Sequence, residues 1–445
     1  MSTDRVMQFA TGLTHQDIPE PARTRAHQAL RDTVAVAFGG QRTLAARTGM
    51  AAMAGEQGRY VALGSREPGS SPVSATAAAF VSGMRASALD YDDGHYRGGA
   101  IHPSSVIVPT VLLAASDSPV PIEDVVTAQV AGYEVAVRLA HLLLPETLAG
   151  QWHCTGTAAT VGAAVAAAKV RGGDADTVRR AAVIAWAHAP MAALQLPMVK
   201  EAIGWSAATG LNAALMAERG LMRLPSGVPV PKMPGIFPAT PFDAPGADVP
   251  FVLSLGREFE IEQSYLKPYP ACRYTHTAAD VLLEQLGAGL EAADVASVRV
   301  ATHAQATFLD YQRPPTLEHA QYSLPWVVAA ALADGEVTPA QMCDERLADP
   351  ALLDIAARVT VVHAPELDAF LPDHYATQLQ LTLRDGRVLE LEPRLAARGD
   401  VSSPLTEQDL AAKVESLVGP ASTDLVAALS PGGDTESFWA ALPSG

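Results

Sequence analysis

At 445 residues the chain exceeds one ordinary core, and about two to three domains are expected for that length. With 49% apolar and only 18% charged residues it is a compact folded protein and not a disordered one. A formal charge of −17 excludes nonspecific nucleic-acid binding, which needs clustered Lys and Arg, but leaves room for a local basic pocket that takes a small anion.

Residues up to about 225 read as helix after helix. In 22–38 the residues Ala26, Ala29, Leu30, Val34 and Ala37 fall on one helical stripe. Segments 75–89, 122–144 and 157–170 repeat the pattern, and their many alanines favour helix. Gly172-Gly173 marks a break, with Asp174 or Asp176 placed to cap the helix that runs on through Trp186. The apolar run 181–199 is long enough to raise a membrane span. His188, Pro190, Gln195 and Pro197 interrupt it, so a buried, broken helix is expected and no membrane association. Residues 223–250, rich in Pro and Gly, predict a long surface loop.

The period then changes. Val298 and Val300 flank Arg299, residues 358–363 are rich in β-branched side chains, and Leu379, Leu381 and Leu383 alternate with polar residues. Asp385-Gly386 between alternating segments signals a hairpin. Helices at 275–286 and 324–334 separate these strands, so a smaller α+β unit is expected over about 265–395. A helical tail follows from Glu407, with Phe438-Trp439 positioned to dock on the main body.

Three stretches carry candidate chemistry. Asp90-Tyr-Asp-Asp93-Gly-His95 with His102-Pro-Ser-Ser105 packs three carboxylates and two imidazoles into thirteen residues. Neighbouring carboxylates raise one another's pKa, and a histidine beside them completes an acid/base set. A metal site is the rival reading, because Asp and His both ligate, but no second set of acidic ligands appears. Trp152-His153-Cys154-Thr155-Gly156-Thr157 places His153 before a helix start whose free N–H groups suit an anion. Lys267-Pro-Tyr-Pro-Ala-Cys-Arg-Tyr-Thr-His276 is a proline-stiffened loop with Lys267, Arg273 and His276. Lys200, emerging from the apolar run, either reaches solvent or neutralises a buried anion. There is no phosphate-binding glycine loop and no GxSxG elbow. Cys154, Cys272 and Cys343 form no CxxC pair, which makes a reducing cytoplasm the simplest location. The opening residues lack a signal-peptide pattern.

In this order the clusters resemble the MmgE/PrpD family: Ala88-Leu-Asp-Tyr-Asp-Asp93 with His102-Pro-Ser, Trp152-His153 with Thr155-Gly-Thr157, Lys200 before Gly204, Lys267-Pro-Tyr-Pro with Cys272-Arg-Tyr-Thr-His276, and Tyr322-Ser-Leu-Pro. That family includes 2-methylcitrate dehydratase, cis-aconitate decarboxylase and iminodisuccinate epimerase. The resemblance implies a mainly α fold: a large helical domain built from both chain ends (1–264 and 401–445) with an inserted α+β lid (265–400). It implies a homodimer that uses neither metal nor organic cofactor and takes a small anionic substrate. The pocket residues implied are Asp90, His102, His153 and Lys267 for catalysis, with Lys200, Arg273, Tyr269, Cys272, His276 and Trp326 lining it. Cys272 stands where the decarboxylase has a histidine, Trp326 near its pocket tyrosine, and Gly94 where a threonine is common. The implied chemistry is proton abstraction next to a carboxylate, dehydratase-like, with an epimerase through the same anion as one alternative. A non-catalytic anion-binding homologue is the other, suggested by Gly94.

Overall fold

The computed structural model describes residues 3–64, 72–150, 152–191, 200–221, 242, 246–371 and 373–442. The first half is α1 (Thr3–Gly12), α2 (Glu20–Gly40), α3 (Leu44–Met53), a short strand β1 (Gln57–Tyr60), α4 (Ala75–Ser87), α5 (Ser104–Ala114), α6 (Ile122–Gly150), α7 (Thr160–Val170), α8 (Ala175–His188) and α9 (Lys200–Glu218). The helical pattern anticipates these elements apart from β1, which pairs only with Val73 through isolated bridges. So short a pairing leaves too little alternation to read. Asp174 caps α8 by accepting the N–H of Thr177. Of the two segments expected as a broken helix and a long loop, 192–199 and most of 222–245 lie outside the described residues. No helix among the described residues is long and apolar enough to cross a membrane.

Small side chains decide how closely these helices approach. A Cβ on Gly132 of α6 would sit 2.4 Å from the Gly162 carbonyl of α7, and one on Gly162 would sit 2.4 Å from the Gly132 carbonyl. The backbones therefore touch, and the alanine-rich faces close into one dry core. The turn before α7 is wound as a π-helix, Thr155–Ala159, where plain helix is expected; such widened turns are frequent at functional sites.

After the short α10 (Pro250–Leu253), the second half contributes α11 (His276–Gly287), β2 (Val295–Thr302), α12 (Leu317–Gln321), α13 (Leu324–Asp334), α14 (Pro350–Ala356), β3 (Val359–His363), β4 (Thr377–Leu383) and β5 (Val388–Glu390). The sheet order is β3-β2-β4-β5, with β2 parallel to β3 and antiparallel to β4. Val298 pairs with Leu381 and Val300 with Leu379, so the apolar residues share the buried face, against which α11 and α13 pack. Asp385-Gly386 turns the β4–β5 hairpin.

The chain then returns to the helical body. Thr406 and Asp409 form a capping box at the start of α15 (Glu407–Val418). α16 (Ser422–Ala428) and α17 (Thr435–Ala441) follow, and Phe438 is fully buried in the main core. α15 packs on α2 and buries Lys413, whose Nζ lies 2.6 Å from Asp32 Oδ1. The same ammonium donates to the carbonyls of Tyr91 at 2.9 Å and Lys267 at 3.0 Å, and sits 3.7 Å over the Tyr91 ring. Lys413→Met would leave the Asp32 carboxylate buried without its cation. The expected loss is about 3–5 kcal/mol of unfolding free energy, read from urea midpoints, with part recovered by adding Asp32→Asn.

Candidate active site

α4 ends at Ser87, and the chain turns through Asp90 at φ 51°, a left-handed conformation uncommon for a residue with a Cβ. Three polar contacts hold it there. Lys267 Nζ donates to the Asp90 carbonyl at 2.8 Å and to Oδ2 at 3.0 Å, and Lys200 Nζ donates to Oδ1 at 3.1 Å. Lys200 opens α9, and Lys267 is fixed by Pro268 behind it. All three side chains are buried. Burial pushes the Asp90 carboxyl up, but the two ammonium groups outweigh it and hold the pKa well below the usual range. Lys200 and Lys267 share the one Asp90 carboxylate, and Asp92 Oδ1 lies 4.0 Å from Lys267 Nζ. Among the described residues Lys200 Nζ, which carries three N–H donors, has the one partner Asp90 Oδ1.

His102 and His153 flank this cluster with rings stacked, centroids 6.1 Å apart and planes 24° apart. His102 Nδ1 lies 2.7 Å from the Asp93 carbonyl and 3.5 Å from Asp92 Oδ2. A carbonyl oxygen at hydrogen-bond distance requires that this nitrogen carry the proton, which leaves Nε2 as a lone pair. His153 is arranged the other way: its Nδ1 accepts the N–H of Thr155 at 3.2 Å, so the neutral ring carries its proton on Nε2. Burial lowers both pKa values, that of His153 to about 3 with His102 beside it adding to the effect. Both rings are therefore neutral at pH 7, in opposite tautomers.

The surrounding turn is built to place them. The Thr155 hydroxyl, in the π turn, accepts the His102 N–H at 3.0 Å. Asp93 accepts from Ser104 N–H at 3.1 Å and Ser104 Oγ at 2.7 Å, which starts α5. Burial raises the Asp93 carboxyl to about 7, with Asp92 adding to the rise against the lowering by Ser104. Gln321 donates to the Ala88 carbonyl at 3.0 Å and accepts Cys272 N–H through its own carbonyl at 2.8 Å. Gly94 pairs with Tyr265, and a Cβ there would stand 2.1 Å from the Tyr265 hydroxyl. Glycine at this position is a packing requirement, which removes the support it lent to a non-catalytic homologue. His153 and Cys272 are the half-buried members and mark the side facing solvent. The largest of the described recesses, about 520 Å³ and lined by Leu44, Phe80, Met84 and Pro315 among others, contains none of these residues.

Several expected pocket residues are engaged elsewhere. Arg273, expected to grip a substrate carboxylate, has all five N–H donors occupied. They go to Tyr96 Oη, His276 Nδ1, the Arg398 and Ala397 carbonyls, and Asp400 at 2.6 Å. His276 accepts from Arg273 and donates Nε2–H to the Ala271 carbonyl at 3.0 Å, so both ring nitrogens are used in holding that arginine. The Tyr269 hydroxyl donates to Asp280 at 2.6 Å, away from Asp90. Trp326 is fully buried in the α13 core and makes no hydrogen bond to the cluster. Cys272 is beside the site, but burial and the nearby Asp90 push its thiol up to about 12, so it lines the site and is no nucleophile. Sequence reasoning missed Asp92 as a separate group, Gln321 and Lys413. Nothing local distinguishes the last two from surface residues. Among the described residues no group of three or more His, Cys, Asp or Glu is placed to hold a metal ion.

Residues 4–233 match the MmgE/PrpD N-terminal domain, and residues 269–425 match the MmgE/PrpD C-terminal domain. The chain belongs to the MmgE/PrpD family. It is 27% identical over 351 residues to the cis-aconitate decarboxylase of Mus musculus, covering 75% of this chain and 70% of that one. To the Homo sapiens cis-aconitate decarboxylase it is 27% identical over 364 residues, 76% and 71% of the two chains. To the 2-methylcitrate dehydratase of Cupriavidus necator it is 26% identical over 383 residues, 75% and 73% of the two chains. It is an enzyme, in a family whose named relatives carry out a decarboxylation and a dehydration.

Arg273→Lys separates a structural role from substrate binding. A lysine cannot reproduce five donors, so stability should fall by about 2–4 kcal/mol in chemical denaturation while KM of the folded enzyme stays within about twofold. A tenfold rise in KM would return Arg273 to the pocket.

Proposed function

We propose that this MmgE/PrpD enzyme is a cofactor-independent lyase that removes a proton next to a carboxylate of a small di- or tricarboxylate, with dehydration as the net reaction. The observation that carries this reading is the pair of neutral histidines in opposite tautomers beside two lysine ammonium groups gathered on Asp90. Carbon acids of this type are weak, so the developing enolate charge needs positive partners placed in advance. Lys200 holds the carboxylate, and Lys267 and Asp90 fix its position. His102 Nε2 takes the proton from carbon. The C–H electrons become the new C=C bond, the C–O bond to the β-hydroxyl breaks, and the departing oxygen, held by a hydrogen bond from His153 Nε2–H, leaves as water with the proton that His102 took, which returns both rings to their neutral forms. Residues 265–400, as a lid over the helical body in a homodimer, would exclude bulk water during this step.

Incubation with 2-methylcitrate and related hydroxy-polycarboxylates, and separately with cis-aconitate as a decarboxylation substrate, in deuterated water tests the proposal. Alkene formation without carbon dioxide is the expected result. Carbon dioxide release identifies a decarboxylase. Deuterium entry at carbon with neither product identifies an epimerase, in which the proton returns to the opposite face of the same anion.

His102→Gln should lower turnover by about 10²–10⁴, and near-normal turnover would remove it as the base. Because burial holds both imidazoles below the ordinary value of 6.5, they stay in the base form as pH falls through 6.5. The acid limb of kcat/KM, corrected for the substrate's own ionisation, should have its midpoint below 6.5. A midpoint at or above 6.5 would place the base elsewhere.

A further inference from the structure

Three carboxylates occupy one turn, and two of them have partners. Both oxygens of Asp90 accept from lysines, and both oxygens of Asp93 accept from Ser104. Asp92 lies between them, is fully buried, and neither of its oxygens accepts a hydrogen bond. Its nearest charged neighbours are His102 Nδ1 at 3.5 Å and Lys267 Nζ at 4.0 Å. A buried carboxylate without hydrogen bonds is unfavourable, and most such groups in folded proteins are satisfied. Its placement suits a positive charge that is absent at rest and appears during turnover.

We propose that Asp92 is a positioning residue acting through His102: it stabilises the imidazolium that forms when His102 Nε2 takes the substrate proton. The inference rests on the reading of His102 as the base. In the resting enzyme the Nδ1 proton is directed to the Asp93 carbonyl, which alone selects the tautomer. Asp92 Oδ2 stands 3.5 Å from the same nitrogen and places its carboxylate beside the ring when the ring becomes cationic. The proton moves from carbon to Nε2, and the Nδ1 proton stays where it is.

The other groups around the two histidines do not replace it. Lys267 and Lys200 oppose a second positive charge, Asp90 is neutralised between them, and Asp93 offers His102 its carbonyl while its carboxyl faces Ser104. His153 is a neighbouring imidazole with no negative charge to give. Asp92 is thus the one acidic side chain of this turn left to answer a charge on His102.

Asp92→Asn keeps the shape and removes the charge. We expect kcat/KM at pH 7.5 to fall about 10- to 100-fold, with KM little changed and the acid limb moved down by about one pH unit. In an His102→Gln background the same substitution should cost nothing further, because its effect passes through that ring. An unmoved acid limb, or an equal loss in both backgrounds, would overturn the proposal. Full activity of His102→Gln alone would instead overturn the reading of His102 as base, so the two failures are distinguishable. If Asp92→Asn does not fold, Asp92→Ser, which also removes the charge, decides by the same readings: a lowered acid limb supports the proposal, and an unmoved one overturns it.

Discussion

The Lys200–Asp90–Lys267 cluster is the interaction on which the rest of the site depends. Its members come from the turn after α4, the start of α9 and the loop before α11, segments separated by 110 and 177 residues. Three charges removed from water at once are tolerable only because each carboxylate oxygen has its own ammonium. The same bonds hold Asp90 in its left-handed conformation, which turns the chain so that Asp92, Asp93 and His102 follow on the same side.

The C-terminal helices secure that cluster from behind. Lys413 on α15 bonds the carbonyls of Tyr91 and Lys267, each beside or within the cluster, and pairs with Asp32 on α2. The end of the chain thereby ties two loops of the site to its beginning. Gln321 does similar work from α12, joining Ala88 to Cys272. Each of these residues sets a backbone position in the turn or loop that carries the cluster.

The basic loop that stands out in the sequence divides into two halves of different purpose. Lys267 reaches into the cluster, whereas Arg273 and His276 turn away and bind the 397–400 segment and Tyr96. Residue types alone make Arg273 the better carboxylate ligand, because a guanidinium binds in bidentate fashion. The fold reverses that preference by surrounding it with acceptors, while Lys200 Nζ has the one partner Asp90 Oδ1 among the described residues.

By itself the sequence determined the order of helices and strands, the hairpin at Asp385-Gly386, a cap at Asp174 or Asp176, and the family, because those signals reside in neighbouring residues and their spacing. It also brought Asp90, His102, His153 and Lys267 to notice, since clustered polar groups in an apolar chain are conspicuous. Only the tertiary structure decided which cations gather on Asp90, which tautomer each histidine holds, and that Asp92 alone of its turn lacks a partner. Those properties are set by contacts between residues hundreds of positions apart, and the protonation of a buried group follows its partners in space and not its neighbours in the chain.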